Sequence, residues 1–278
     1  MITGRVGKKL AKHNFHNFIL AATVTFIMFS NNAYALHVPF KRIVFDAAHP
    51  SDVLTVINDT DEEKIYVLDW LHYRMEETGG LKKILKEEKG EGILWAEDMI
   101  RFETSRFTLP PRASREVRLF WEPPAELKSG EYRAHLQIRT QTLPAQGKHK
   151  NQMRLTMEGG IVMPVFVRQG AVHASAEISN VKLTRKEEKK IVQMQLTLKR
   201  NGNMSLYGEF LFACLSGEKK TVIKRISGIA VYTEVSQRNL NFNIDLPEDA
   251  GRICPYMQAS YQQPNGNNEV LSEEIPLP

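Results

Sequence analysis

The sequence has little of what catalysts and cofactor proteins usually carry. Its 278 residues include only two cysteines, Cys214 and Cys254. A disulfide-dense scaffold is therefore excluded, and so is a zinc site built from paired cysteines. There is no G-x-S-x-G elbow, no phosphate-binding glycine loop and no H-E-x-x-H. Beyond the first 35 residues the histidines are His37, His49, His72, His135, His149 and His173, scattered without metal-ligand spacing. Carboxylates gather in turns and in 76–98, where solvation accounts for them. Basic residues are not interleaved with aromatics as on a nucleic-acid platform. No catalytic residue, metal ligand, cofactor or nucleic-acid partner is expected.

A large charge of one sign is also missing. Lys and Arg number 37 against 32 Asp and Glu, a formal net charge of +5. Four of the basic residues, Arg5, Lys8, Lys9 and Lys12, open the chain without an acidic neighbour. "FILAATVTFIMF" (18–29) follows, an apolar run short for a bilayer span, and then "AYA" (33–35) with small residues at −3 and −1. This pattern predicts a secretory signal peptide over 1–35, cleaved after Ala35, with export and no integral membrane segment in the mature chain; an uncleaved amphipathic or membrane anchor is the alternative. Without the four leader cations the balance is nearly even. An exported chain permits one Cys214–Cys254 disulfide, and two buried thiols are the alternative.

What the sequence has is short period-two segments from end to end. "HVPFKRIVFDA", "DVLTVIN", "KIYVLDWLHYRM", "MIRFE", "SREVRLFW", "GEYRAHLQIRTQ" and "MRLTMEGGIVMPVFV" predict about seven strands before "RQGAVHA" (168–174). Segment 76–98 breaks at glycines and mixes charges, which predicts a surface loop or short helix. Six further strand-like segments fill 175–264. The reading is all-β: two immunoglobulin-like β-sandwiches in series, 36–168 and 169–278, with Trp70 in the first core.

Two strands carry the functional question. In "GEYRAHLQIRTQ", Tyr132, Ala134, Leu136 and Ile138 share one face, and Glu131, Arg133, His135, Gln137 and Arg139 the other. The polar face is either a wet sheet surface or a surface that holds an anion. In 153–167, Met153, Leu155 and Met157 alternate before "GG", and Ile161, Met163, Val165 and Val167 after it. Such a strand either lines its own core or offers its edge and apolar row to a partner.

The order of "RIVFDAAHPSDVLTVINDT", "RFTLPPRASREVRL", "GEYRAHLQI", "IVMPVFVRQGA", "RNGNMSLYGEF" and "GIAVYTEVSQRNL" resembles the periplasmic chaperones of the chaperone–usher pathway over nearly all of the mature chain. "GEYRAHL" and "MPVFVRQG" resemble the archaic branch. The resemblance implies two sandwiches with a cleft between them. It implies pilin subunits and an outer-membrane usher as partners, and donor-strand complementation as the mechanism. The lent strand would be 153–167, with Met153, Leu155, Met157, Ile161, Met163 and Val165 as groove-filling side chains. It also implies basic residues that anchor the C-terminal carboxylate of the subunit. Arg42 matches the first-strand arginine of classical members, whereas Pro164 stands where they carry a lysine. Arg133 is therefore expected as the main anchor, supported by His135, with Arg42 the weaker candidate. The competing reading is a secreted structural or adhesive protein of immunoglobulin-like domains.

Overall fold

In the computed structural model the described residues are 42–278, apart from 86–87, 89–91, 142–158, 186–190, 249, 251–253 and 265–268. The expected signal segment, 1–35, lies outside them.

Ten strands build the first sandwich: β1 (Ile43–Phe45), β2 (Ser51–Ile57), β3 (Lys64–Met75), β4 (Leu81–Ile84), β5 (Leu94–Trp95), β6 (Ile100–Phe102), β7 (Arg106–Leu109), β8 (Ser114–Trp121), β9 (Gly130–Gln141) and β10 (Gly160–Gln169). One sheet runs β1-β10-β9-β3-β4, with β5 beside β9 and β7 beside β3; the facing sheet is β2-β8-β6. Side chains alternate across a strand, so each inner face contributes every second residue. Ile43 and Phe45, Leu54 and Val56, Tyr66 and Leu68, Val117 and Leu119, Ala134, Leu136 and Ile138 meet in one core. Trp70 sits half-buried against it and stacks on Phe102, ring centroids 5.0 Å apart.

Segment 76–98 departs from expectation. Its start is the turn of a β3–β4 hairpin, with Met75 opposite Leu81, and its end is β5 and a single 3-10 turn at Glu97–Met99. The hairpin tip needs glycine: Gly79 has φ +86°, a left-handed backbone that side chains disfavour, and its N–H donates to Glu76 O. "LKKI" reads as loop because only one of its residues, Ile84, turns inward.

The second sandwich holds β11 (Ala174–Arg185), β12 (Ile191–Gly202), β13 (Leu206–Ser216), β14 (Lys219–Val231), β15 (Gln237–Asp245), β16 (Tyr256–Gln262), β17 (Val270–Leu271) and β18 (Ile275–Pro276). Sheet β11-β12-β15 faces sheet β14-β13-β16-β17, with β18 also on β16. Its own core gathers Met194, Leu196, Leu198, Phe210, Phe212, Phe242, Ile244 and Tyr261. Cys214, on β13, and Cys254, just ahead of β16, are bonded to each other inside that core.

A third, smaller cluster joins the two sandwiches. Met75 and Phe166 of the first pack with Ala230 and Tyr232 of the second. The hairpin tip adds polar contacts: Asn239 N–H donates to Glu77 O at 2.7 Å, and Gln237 Nε2 donates to Glu77 Oε2 at 3.1 Å.

The disulfide closes a loop between cysteines 40 positions apart. Chain entropy then assigns it roughly 4 kcal/mol of stability. Denatured, unreduced protein should show no titratable thiol, and the Cys214→Ala/Cys254→Ala variant should lose stability on that scale in urea unfolding. Two titratable thiols in the unreduced protein would contradict the bond.

Candidate functional site: a cleft between the sandwiches

The polar face of β9 is buried over Glu131, Arg133 and His135 and half-buried at Gln137 and Arg139. Three of its residues meet three different fates.

Glu131 is saturated. Its Oε1 accepts from Ser205 N–H at 2.9 Å and from the Ser205 hydroxyl, and its Oε2 accepts from Arg168 Nε at 3.2 Å. Since Ser205 belongs to the second sandwich, this carboxylate ties the two together.

Arg133 corrects the expectation made from the sequence. Its Nη1 donates to Glu234 Oε2 at 2.9 Å and its Nη2 to Glu234 Oε1 at 2.7 Å, a two-pronged pair. Nη2 also donates to Tyr73 O at 2.9 Å, and the guanidinium lies 4.1 Å from the centre of the Tyr232 ring. The side chains of the pair are 3% and 0% exposed. The fork that was expected to hold a partner's carboxylate already holds one from its own chain. A guest would have to break a buried ion pair to reach it.

His135 lines a cleft and has hydrogen-bond partners on neither ring nitrogen. The Tyr73 ring meets it edge-on at 5.0 Å. Burial above all, then the Arg133 charge and that of His72, hold its pKa down at about 3. The expected supporting residue is therefore a neutral imidazole, one nitrogen donating and one accepting.

Arg42, expected as the weaker anchor, is the cation that faces the cleft. It immediately precedes β1, and its guanidinium carbon lies over two rings, 3.9 Å from the centre of Phe166 and 4.5 Å from that of Tyr207. Nε and Nη2 are buried and make no hydrogen bond. The nearest carboxylate oxygen is Glu131 Oε2, 3.9 Å from Nη2, too far to accept. Burial lowers the pKa of Arg42 and Glu131 opposes that shift. An arginine stays cationic through such shifts.

The cleft encloses about 420 Å³. Arg42, His135, Tyr73 and Phe166 come from the first sandwich, and Tyr207, Gly228, Ala230 and Tyr232 from the second. No local pattern announced the tyrosines as site residues, because each sits in an ordinary strand-like segment.

Strand β10 gives a second correction. Met163 and Val165 are 0% exposed and belong to the core of their own sandwich. Ile161 is half-buried against the same core. Side chains alternate, so these three cannot also face a partner. The residues turned to the cleft are Val162, Pro164 and Phe166. Met153, Leu155 and Met157 lie outside the described residues. Among the described residues β1 pairs with β10 only at Val165–Val167, and no described strand pairs with its outer edge over 160–164.

Among the described residues no group of three or more His, Cys, Asp or Glu could hold a metal ion, and no helix is long and apolar enough to cross a membrane. No family model matches the sequence, and no curated protein matches it significantly. Solved structures do show likeness. The E. coli chaperone DraB is 16% identical, with 88% of this chain and 96% of that one covered, at a TM-score of 0.44. The class 5 fimbriae chaperone CfaA is 10% identical over 87% of this chain and 100% of its own, at 0.46. The Pseudomonas aeruginosa chaperone CupB2 is 11% identical over 87% and 100%, at 0.40. Scores below 0.5 lend no weight to a function.

Two outcomes are expected. Glu234→Ala strands the Arg133 charge and should cost about 3–5 kcal/mol in urea unfolding. Arg133→Met/Glu234→Leu should cost clearly less than the two single changes added, whereas simple additivity would show that the pair is not coupled. The second outcome concerns pH. His135 ordinarily titrates at 6.5 and here at about 3. A depressed folded-state pKa contributes stability that is complete above the unfolded value and is lost as pH falls from 6.5 towards 3, by up to about 1.4 kcal/mol per pH unit. The His135→Gln variant should lack that component, so its stability relative to the parent should rise on acidification. Parallel pH curves would mean that His135 is not a buried neutral group.

Proposed function

We propose that the protein is a periplasmic assembly chaperone that binds pilin-type subunits and passes them to an outer-membrane usher. The subunit's C-terminal carboxylate enters the cleft and meets Arg42. Its last strand pairs with the outer edge of β10, and apolar side chains of the lent segment complete the subunit's fold. The 1–35 segment directs export, the sandwich over 36–168 holds the subunit, and the sandwich over 169–278 supplies the far wall of the cleft.

The observation that carries this reading is the Arg42 guanidinium, buried at an interdomain cleft with two hydrogen-bond donors unused. An unused buried donor costs roughly 1–3 kcal/mol, more for a charged group, so it marks a place where a partner is missing. The sequence resemblance says which partner chemistry to expect there. A structural or adhesive protein of the same domains has no need of such a donor pair.

Co-expression with a candidate subunit tests the assignment. Arg42→Gln should lose most subunit in a pull-down while keeping the parent circular dichroism. Arg42→Lys should recover part of the loss, since lysine keeps the charge without the two-pronged geometry. Arg133→Ala should act through reduced stability of the chaperone itself. Full subunit recovery by folded Arg42→Gln would remove the anchor, and the reading with it.

A further inference from the structure

Resting on that reading, we propose that the cleft also selects the last residue of its guest: it takes a terminal carboxylate borne by an uncharged, apolar or aromatic side chain. The selection follows from which residues line the cavity.

The anion site is directional. The Arg42 guanidinium lies over the Phe166 and Tyr207 rings. Its two unused nitrogens, Nε and Nη2, are the pair whose N–H bonds run parallel along one edge. That edge matches both oxygens of one carboxylate. Glu131 nearby does not substitute for the guest, because its oxygens are occupied by Ser205 and Arg168. His135, 2% exposed and without a hydrogen-bond partner, adds one donor and one acceptor but no charge.

The rest of the wall is uncharged: aliphatic at Leu81, Val162, Pro164 and Ala230, and aromatic at Phe166 and the tyrosines Tyr73, Tyr207 and Tyr232. Arg42 is the one cation among the residues lining the cleft, and no carboxylate lines it. Once Arg42 is neutralised by the terminal carboxylate, an Asp or Glu side chain would be buried with no counter-charge. A Lys or Arg side chain would find none at all. Either is costly where an apolar side chain is stabilised. Leu81, 44% exposed at the rim, is apolar surface that such a guest would cover. The volume of about 420 Å³ lies in the range of small-ligand sites, roughly 300–1,000 Å³, and accepts a large terminal residue.

The same chemistry is presented by a free aromatic acid, so the test separates the two sources. Strand-length peptides identical except for a last residue of Phe, Leu, Asp or Lys, the Phe peptide as its C-terminal amide, and phenylacetate alone would be titrated into the full chaperone by calorimetry. Phe- and Leu-ended acids should bind about ten-fold or more tighter than the amide and than the Asp- and Lys-ended peptides. Phenylacetate should bind more weakly than either peptide, because it makes no strand pairing; equal binding would assign the cleft to a small acid. Leu81→Lys, a change at an exposed position, should raise the affinity of the Asp-ended peptide relative to the Phe-ended one. If acids beat the amide but the last side chain makes no difference, or Leu81→Lys leaves the order unchanged, selection is overturned while the carboxylate anchor stands. If acid and amide bind alike, or no peptide binds, the anchor falls as well.

Discussion

The structure depends on one buried ion pair. Arg133 and Glu234 meet with both partners almost wholly out of water, although removing either charge from solvent costs several kcal/mol. Geometry offsets that cost. Two parallel hydrogen bonds link the groups, Met75 N–H donates to Glu234 Oε1, and Tyr73 O accepts from the guanidinium. These contacts tie β3 and β9 of the first sandwich to the turn after β14 of the second. A pair with such strict angular demands gives the two domains a preferred mutual orientation, which a purely apolar contact between Met75, Phe166, Ala230 and Tyr232 would define less sharply.

With the orientation held, the other arginine acquires its character. Arg42 lines the cleft and Arg133 lies outside that lining, and they are partnered differently: both Nη groups of Arg133 are hydrogen-bonded and only its Nε is not, while Nε and Nη2 of Arg42 make no hydrogen bond. The difference lies in what the second sandwich brings to each. Arg133 receives a carboxylate, and Arg42 receives the face of Tyr207. An aromatic face holds a cation without using its N–H groups. The donors are thereby oriented and still available, which is the preorganisation a binding site requires.

Much of the fold was legible in the sequence, because a sandwich strand records its buried face in period two. Tyr132, Ala134, Leu136 and Ile138 do line a core. The site was harder to read, for two physical reasons. Glu234 lies 101 positions from Arg133, and no local pattern reports a partner at that separation; a polar face waiting for a ligand and one already satisfied look alike in one dimension. In β10 both faces are apolar, Met163 and Val165 inward, Val162 and Phe166 toward the cleft. Periodicity identifies a strand in such a run but not which row turns in. The hairpin after Met75 escaped for a third reason: its charged "LKKI" strand has almost no buried side to leave a trace.

The contact of Arg42 with Phe166 and Tyr207 has a temporal meaning. The two rings lie on separate sandwiches, and the chain that emerges first carries only one of them. Only a finished molecule brings both rings to the guanidinium, so the environment of this cation reports that both sandwiches have folded.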